Sequence, residues 1–114
     1  MAFRPGSFDG VVAFYVFMHV PRDEVAPTFE RILGWLRPGG RLMLTLNTTE
    51  ADDRVEDWLD VPMFFAGTTP ETNERLLRET GFRLELSEIR EEIEARYGLA
   101  RFHWVIARKP DREE

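Results

Sequence analysis

Val11-Val12-Ala13-Phe14-Tyr15 and Arg41-Leu42-Met43-Leu44-Thr45-Leu46 are the two runs whose reading decides the fold. The first follows Gly6, Ser7, Asp9 and Gly10 and shows no polar alternation, the pattern of a strand covered on both faces of a parallel sheet. Between them, Val25, Phe29, Ile32, Leu33 and Leu36 fall at i, i+4, i+7, i+8 and i+11, one apolar stripe of a helix that Asp23 can cap. Pro27 then takes the fourth helical position, at the end of the first turn, where a proline is expected to be tolerated. Arg37-Pro38-Gly39-Gly40 ends that helix and Arg41 to Leu46 supplies the second strand. Strand, helix, strand within about forty residues is a βαβ unit, so the two strands should be parallel.

The segment from Asn47 to Gly67 is less regular. Glu50, Asp52, Asp53, Glu56, Asp57 and Asp60 are acidic among the apolar Val55, Trp58, Leu59, Met63, Phe64 and Phe65, and a short helix is expected over Ala51 to Leu59. Thr69 as N-cap, Pro70 at the first helical position, Leu76 and Leu77 facing inward and Gly81 as the stop predict a helix from Pro70 to Thr80. Phe82, Leu84 and Leu86 alternate with Arg83, Glu85 and Ser87 as a half-covered strand, and Glu91 to Arg96 with Gly98 reads as a turn. Phe102 to Ala107 is apolar on both faces, which places it inside the sheet, antiparallel to the preceding strand. The fold class expected is α/β, with four strands in spatial order first, second, fourth, third and helices at about Asp23–Leu36 and Pro70–Thr80. Residues 1–109 form one domain in this reading, and 110–114 a frayed tail.

With 114 residues the chain has room for one hydrophobic core, and 43% hydrophobic and 12% aromatic residues argue against disorder. Fifteen basic against 21 acidic residues leave a net charge of −6, which disfavours nonspecific binding to nucleic acid or anionic membranes. The absence of Cys removes thiolate catalysis, thiolate metal sites and disulfides, and fits a cytoplasmic location. Val11 to Val20 is too short to span a bilayer and lacks a signal-peptide cleavage pattern, so no membrane association is expected. Two distant histidines among unpatterned carboxylates predict no metal site.

Three segments carry a resemblance: Gly6-Ser7-Phe8-Asp9-Gly10-Val11-Val12 running on to Met18-His19-Val20-Pro21, Leu36-Arg37-Pro38-Gly39-Gly40-Arg41-Leu42, and Arg101-Phe102-His103-Trp104-Val105-Ile106-Ala107-Arg108-Lys109. Together they resemble the C-terminal half of a class I S-adenosylmethionine-dependent methyltransferase of the small-molecule type. The resemblance implies a partial Rossmann-like sheet matching that family's fourth to seventh strands, the last antiparallel, with Trp58 to Asn73 similar to the variable segment that covers the acceptor pocket. The family's glycine-rich turn after its first strand and acidic residue after its second, which hold the cofactor, have no counterpart here. Gly39-Gly40 ends a helix and precedes a strand, the reverse of the order such a cradle needs.

On this resemblance the cofactor is S-adenosylmethionine, and Tyr15 and Val16, at the end of the fourth strand, line its methionine end. His19 carries an imidazole that can take a proton from an acceptor hydroxyl or amine, or it only caps the next helix or satisfies a local carbonyl. Asn47 ends the next strand and faces the acceptor pocket, or forms a turn with Thr48 and Thr49. Trp58, Met63 and Phe64, with Phe65, form an apolar acceptor pocket or lid, or core beneath a loop. His103, between Phe102 and Trp104, reads as an interior hydrogen-bonded histidine. Two functions remain: the acceptor side of a methyl-transfer site for a small molecule, inactive alone, or a non-catalytic dimeric interaction or small-ligand-binding module. Both leave the Val11 to Tyr15 strand at a bare sheet edge, which predicts a homodimer or pairing with a complementing N-terminal half.

Overall fold

A computed structural model describes residues 3–14, 17–48, 51–58, 61–94 and 98–111, without the side chains of residues 18, 51–66, 94, 98 and 99. Strand β1 (Phe8–Ala13) leads through a single 3-10 turn (Phe17–His19) into helix α1 (Arg22–Trp35) and strand β2 (Leu36–Leu46). Strands β3 (Ala51–Trp58) and β4 (Val61–Gly67) follow, then helix α2 (Pro70–Thr80) and strands β5 (Arg83–Glu94) and β6 (Gly98–Arg108). The main sheet has the order β1-β2-β6-β5, as expected for the four strands read from the sequence. β1 runs parallel to β2, with Val12 opposite Met43, and β6 is antiparallel to both β2 and β5, with Val105 opposite Leu44 and Ser87.

Helix α2 forms where its signals place it. The Thr69 hydroxyl accepts the N–H of Thr72 at 3.2 Å, Pro70 opens the helix, and Gly81, at φ 123°, closes it by donating to the carbonyls of Leu77 and Arg78. Helix α1 differs in its start. Pro21, not Asp23, holds the N-cap position, with no side-chain cap, so Pro27 lies one and a half turns inside the helix. There it leaves the Asp23 carbonyl without its usual intrahelical donor. Asp23 and Glu24 instead sit in the first turn, where carboxylates oppose the positive end of the helix dipole.

The short helix expected over Ala51 to Leu59 is not present. Residues 51–58 are strand β3, paired antiparallel with β4 as a separate two-stranded sheet, with Val55 opposite Phe64 and Trp58 opposite Val61. A nine-residue helix without a cap gains little on its own, whereas the β-prone run Val61 to Gly67 offers a partner for Val55 and Trp58. The turn expected between Glu91 and Gly98 is also shorter, because β5 and β6 stay paired out to Glu94 and Gly98.

The core lies between one face of the sheet and the two helices. Leu42, Leu44, Val105 and Ala107 point from β2 and β6 towards Val25, Phe29 and Ile32 of α1 and Leu77 of α2. Burying each of the larger side chains contributes about 1.5–3 kcal/mol. The expectation that β1 is covered on both faces fails: both helices pack on one face, and on the other Val12 is 63% exposed beside Met43 and Phe14.

The Pro38-Gly39-Gly40 segment belongs to β2 rather than to a helix end, and its glycines have separate reasons. Gly39 takes φ 83°, and a Cβ at Gly40 would stand 2.9 Å from the Arg37 carbonyl and 3.0 Å from that of Asp9. Asp9 and Arg37 therefore lie in paired strands, joined by an exposed ion pair of 2.6 Å, rather than in a turn and a helix end.

Candidate functional site

The carboxyl ends of β1 and β2 open onto one shallow cleft, the place where ligands collect in an open α/β sheet. Phe17 and Val20 line it from the 3-10 turn and the segment after it, Arg22 and Val25 from the start of α1, Leu46 and Asn47 from the end of β2, and Gly67 and Thr68 from the end of β4. It is open to solvent and encloses only about 10 Å³, room for roughly one water and far below the several hundred of a small-molecule site.

Beneath the cleft lies a buried polar network. The side-chain amide of Asn73, on the inner face of α2, donates to the carbonyl of Asn47 (3.0 Å) and to Nδ1 of His103 (3.2 Å), while its oxygen accepts the hydroxyl of Thr68. The Nε2 of His103 in turn contacts Ser87 Oγ at 2.7 Å. Asn73 and His103 are 0 and 1% exposed, so every one of these bonds replaces a lost bond to water. Burial pushes the His103 imidazole below its ordinary pKa, against the opposing pull of Glu74 and Glu71, which favours the neutral ring. His103 is thus the hydrogen-bonded interior histidine expected from its apolar flanks.

The structure brings the remaining candidates together only in part. Asn47 lines the cleft, and its carbonyl belongs to the network below it. His19 is half-buried at the end of the 3-10 turn, next to Val20, but does not line the cleft itself. Tyr15 and Val16 lie outside the described residues, as do the side chains of Trp58, Met63 and Phe64. The backbones of these last three sit in the β3–β4 hairpin, and β4 packs against the 3-10 turn beside the cleft. Arg22, Thr68 and Asn73 were not singled out from the sequence. Asn73 did carry a signal: it occupies the position four residues before Leu77, inside the apolar stripe of α2, where a polar residue needs a buried partner.

A family model described as a methyltransferase domain matches residues 1–44. An S-adenosylmethionine-dependent methyltransferase from Methanosarcina mazei superposes with a TM-score of 0.83 at 16% identity over 97% of this chain and 63% of its own. The fold is that of a methyltransferase domain. The 1,6-didemethyltoxoflavin N1-methyltransferase of Burkholderia thailandensis, solved with that compound and S-adenosylhomocysteine, superposes at 0.69 with 22% identity over 94% of this chain and 46% of its own. The phosphoethanolamine N-methyltransferase 2 of Haemonchus contortus, solved with phosphomonomethylethanolamine and S-adenosylhomocysteine, does so at 0.66 with 16% identity over 96% and 35%. This methyltransferase-like chain therefore spans from about a third to less than two thirds of the length of these structures. No curated protein matches the sequence. Its four-stranded sheet has the order and the antiparallel last strand that the resemblance implies, in a chain that matches only part of these structures.

The cleft, with room for roughly one water, is too small to enclose a whole S-adenosylmethionine. A Cβ at Gly40 would meet the Arg37 and Asp9 carbonyls and the Leu36 side chain, and one at Gly39 the Asp111 carboxylate, so this glycine pair faces the chain itself rather than a ligand. Among the described residues no three His, Asp or Glu side chains gather as metal ligands, and no helix is long and apolar enough to cross a membrane.

Proposed function

We propose that this chain contributes the acceptor side of a methyl-transfer site for a small molecule, with the cofactor held mainly by residues outside these 114. The observation that carries the reading is the cleft at the carboxyl ends of the parallel pair β1–β2, where Asn47, Thr68 and Arg22 supply polar groups beside Phe17, Val20 and Val25. Tyr15 and Val16 line the methionine end of S-adenosylmethionine in this reading. Trp58, Met63 and Phe64 cover the acceptor from the β3–β4 hairpin. His19, beside the cleft, takes the proton from the acceptor hydroxyl or amine, a contribution of about 10²–10⁴-fold in rate. That factor does not replace the positioning of the second reactant, so the chain alone is inactive. Transfer of a radiolabelled methyl group tests this: none is expected from the purified chain, and turnover that His19→Ala abolishes would show a complete site within it.

The second reading, a non-catalytic dimeric or small-ligand-binding module, is favoured by the bare edge of β1 and the small cleft. In either case the partner at that edge is a second copy or a complementing half, and the compartment is the cytoplasm.

A further inference from the structure

We propose that Asn73 is the positioning residue of the cleft: from beneath, its side-chain amide joins the carbonyl of Asn47 to the hydroxyl of Thr68, and its second N–H sets the tautomer of His103. The inference deepens the acceptor-side reading and rests on it for what the cleft binds. Its test reads the cleft without cofactor or acceptor, so the two fail separately.

An Asn side chain can be placed in two orientations, and here the surroundings leave one. Reversing the amide would set Oδ1 against the Asn47 carbonyl at 3.0 Å, two acceptors with no proton between them. The Asn47 carbonyl therefore turns Nδ2 towards His103, whose Nδ1 must accept. The imidazole proton then sits on Nε2 and is donated to Ser87 Oγ. Both N–H groups and the oxygen of Asn73 are used, and the chain of bonds ties the end of β2, the segment before α2, α2 itself, β6 and β5. Asn47 and Thr68 line the cleft, whereas Asn73 and His103 do not. Asn73 thus acts on the cleft through its neighbours.

The arrangement also makes the cleft sensitive to the charge on His103. A second proton would arrive on Nδ1 and meet the Nδ2–H of Asn73 head to head, releasing the amide from its place. The charged groups around the ring are Glu71 and Glu74 on α2. From β5 it meets Ser87 and is paired with Ile89, and from β2 it is paired with Leu46. Along β6, on the same side, stands Arg101, held by Glu91 at 3.0 Å.

Nitrogen-15 spectra of the His103 ring and the backbone amides of Asn47, Gly67 and Thr68 test the proposal on the full chain. The Nε2–H tautomer is expected in the parent chain and in Ser87→Ala. In Asn73→Asp, whose carboxylate can only accept, the proton is expected on Nδ1, with the three cleft amides displaced. Lowering the pH of the parent chain should move the same three amides together with the His103 ring, which decides the matter even if Asn73→Asp fails to fold. An Nδ1–H tautomer in the parent chain, a tautomer that Ser87→Ala reverses, or cleft amides that stay in place while His103 titrates would each overturn it.

Discussion

The ammonium group of Lys109, just past the end of β6, donates to the carbonyl of Leu36 at 2.8 Å and to that of Leu33 at 2.9 Å. These carbonyls lie where α1 gives way to β2, and the backbone of Lys109 pairs there with Gly39 and Gly40 at 2.8 Å each. The only lysine of the chain thus closes the C-terminal end of α1, where a cation also opposes the helix dipole. Lys109→Met keeps the stem and removes the donors. It should lower the free energy of unfolding in urea by about 1.5–3 kcal/mol, the range for hydrogen bonds to a charged group.

Gly40→Ala should be destabilising, because its Cβ meets two backbone carbonyls at 2.9 and 3.0 Å and neither can move without parting β1 from β2. A loss of about 1–3 kcal/mol is expected for this overpacking. Gly10→Ala, whose Cβ would lie 3.5 Å from the Arg41 carbonyl, should change the same urea midpoint little.

The depressed pKa of His103 fixes the sign of a pH dependence. As pH falls through the ordinary histidine value of 6.5, the unfolded chain takes up a proton that the folded chain does not. The unfolded state therefore binds more protons, and the stability present above pH 6.5 declines as pH falls through the folded value. The slope contributed is at most about 1.4 kcal/mol per pH unit. Urea titrations at pH 7.5 and 5.5 should show this decline in the parent chain and a smaller one in His103→Gln.

Helix α2 was legible from end to end, since Thr69, Pro70 and Gly81 act through local geometry that the sequence carries directly. The strand order was legible too, through the apolar runs and the three segments of the resemblance. The β3–β4 hairpin was not, because acidic residues from Asp52 to Asp57 gave no strand period and the pairing of Val55 with Phe64 is a tertiary choice. The cleft was half legible. Asn47 follows from its place after β2, whereas Arg22 and Thr68 join it only through the packing of α1 and β4. The open face carrying Val12 and Met43 escaped the reading because an apolar strand looks the same whether its second face is covered or bare.

That face and the adjoining edge of β1 should drive self-association. Equilibrium sedimentation is expected to show a dimer at micromolar concentrations, and Val12→Glu, at a position already 63% exposed, should shift it towards monomer without loss of fold. A clean monomer across a wide concentration range would contradict this.

Calorimetric titration of the purified chain with S-adenosylhomocysteine tests most directly the claim that it holds the acceptor side of a methyl-transfer site but not the cofactor's. The account predicts an affinity of about millimolar or weaker, equivalent to roughly 4 kcal/mol or less of binding free energy. Micromolar affinity would contradict it and require a cofactor site built from these 114 residues.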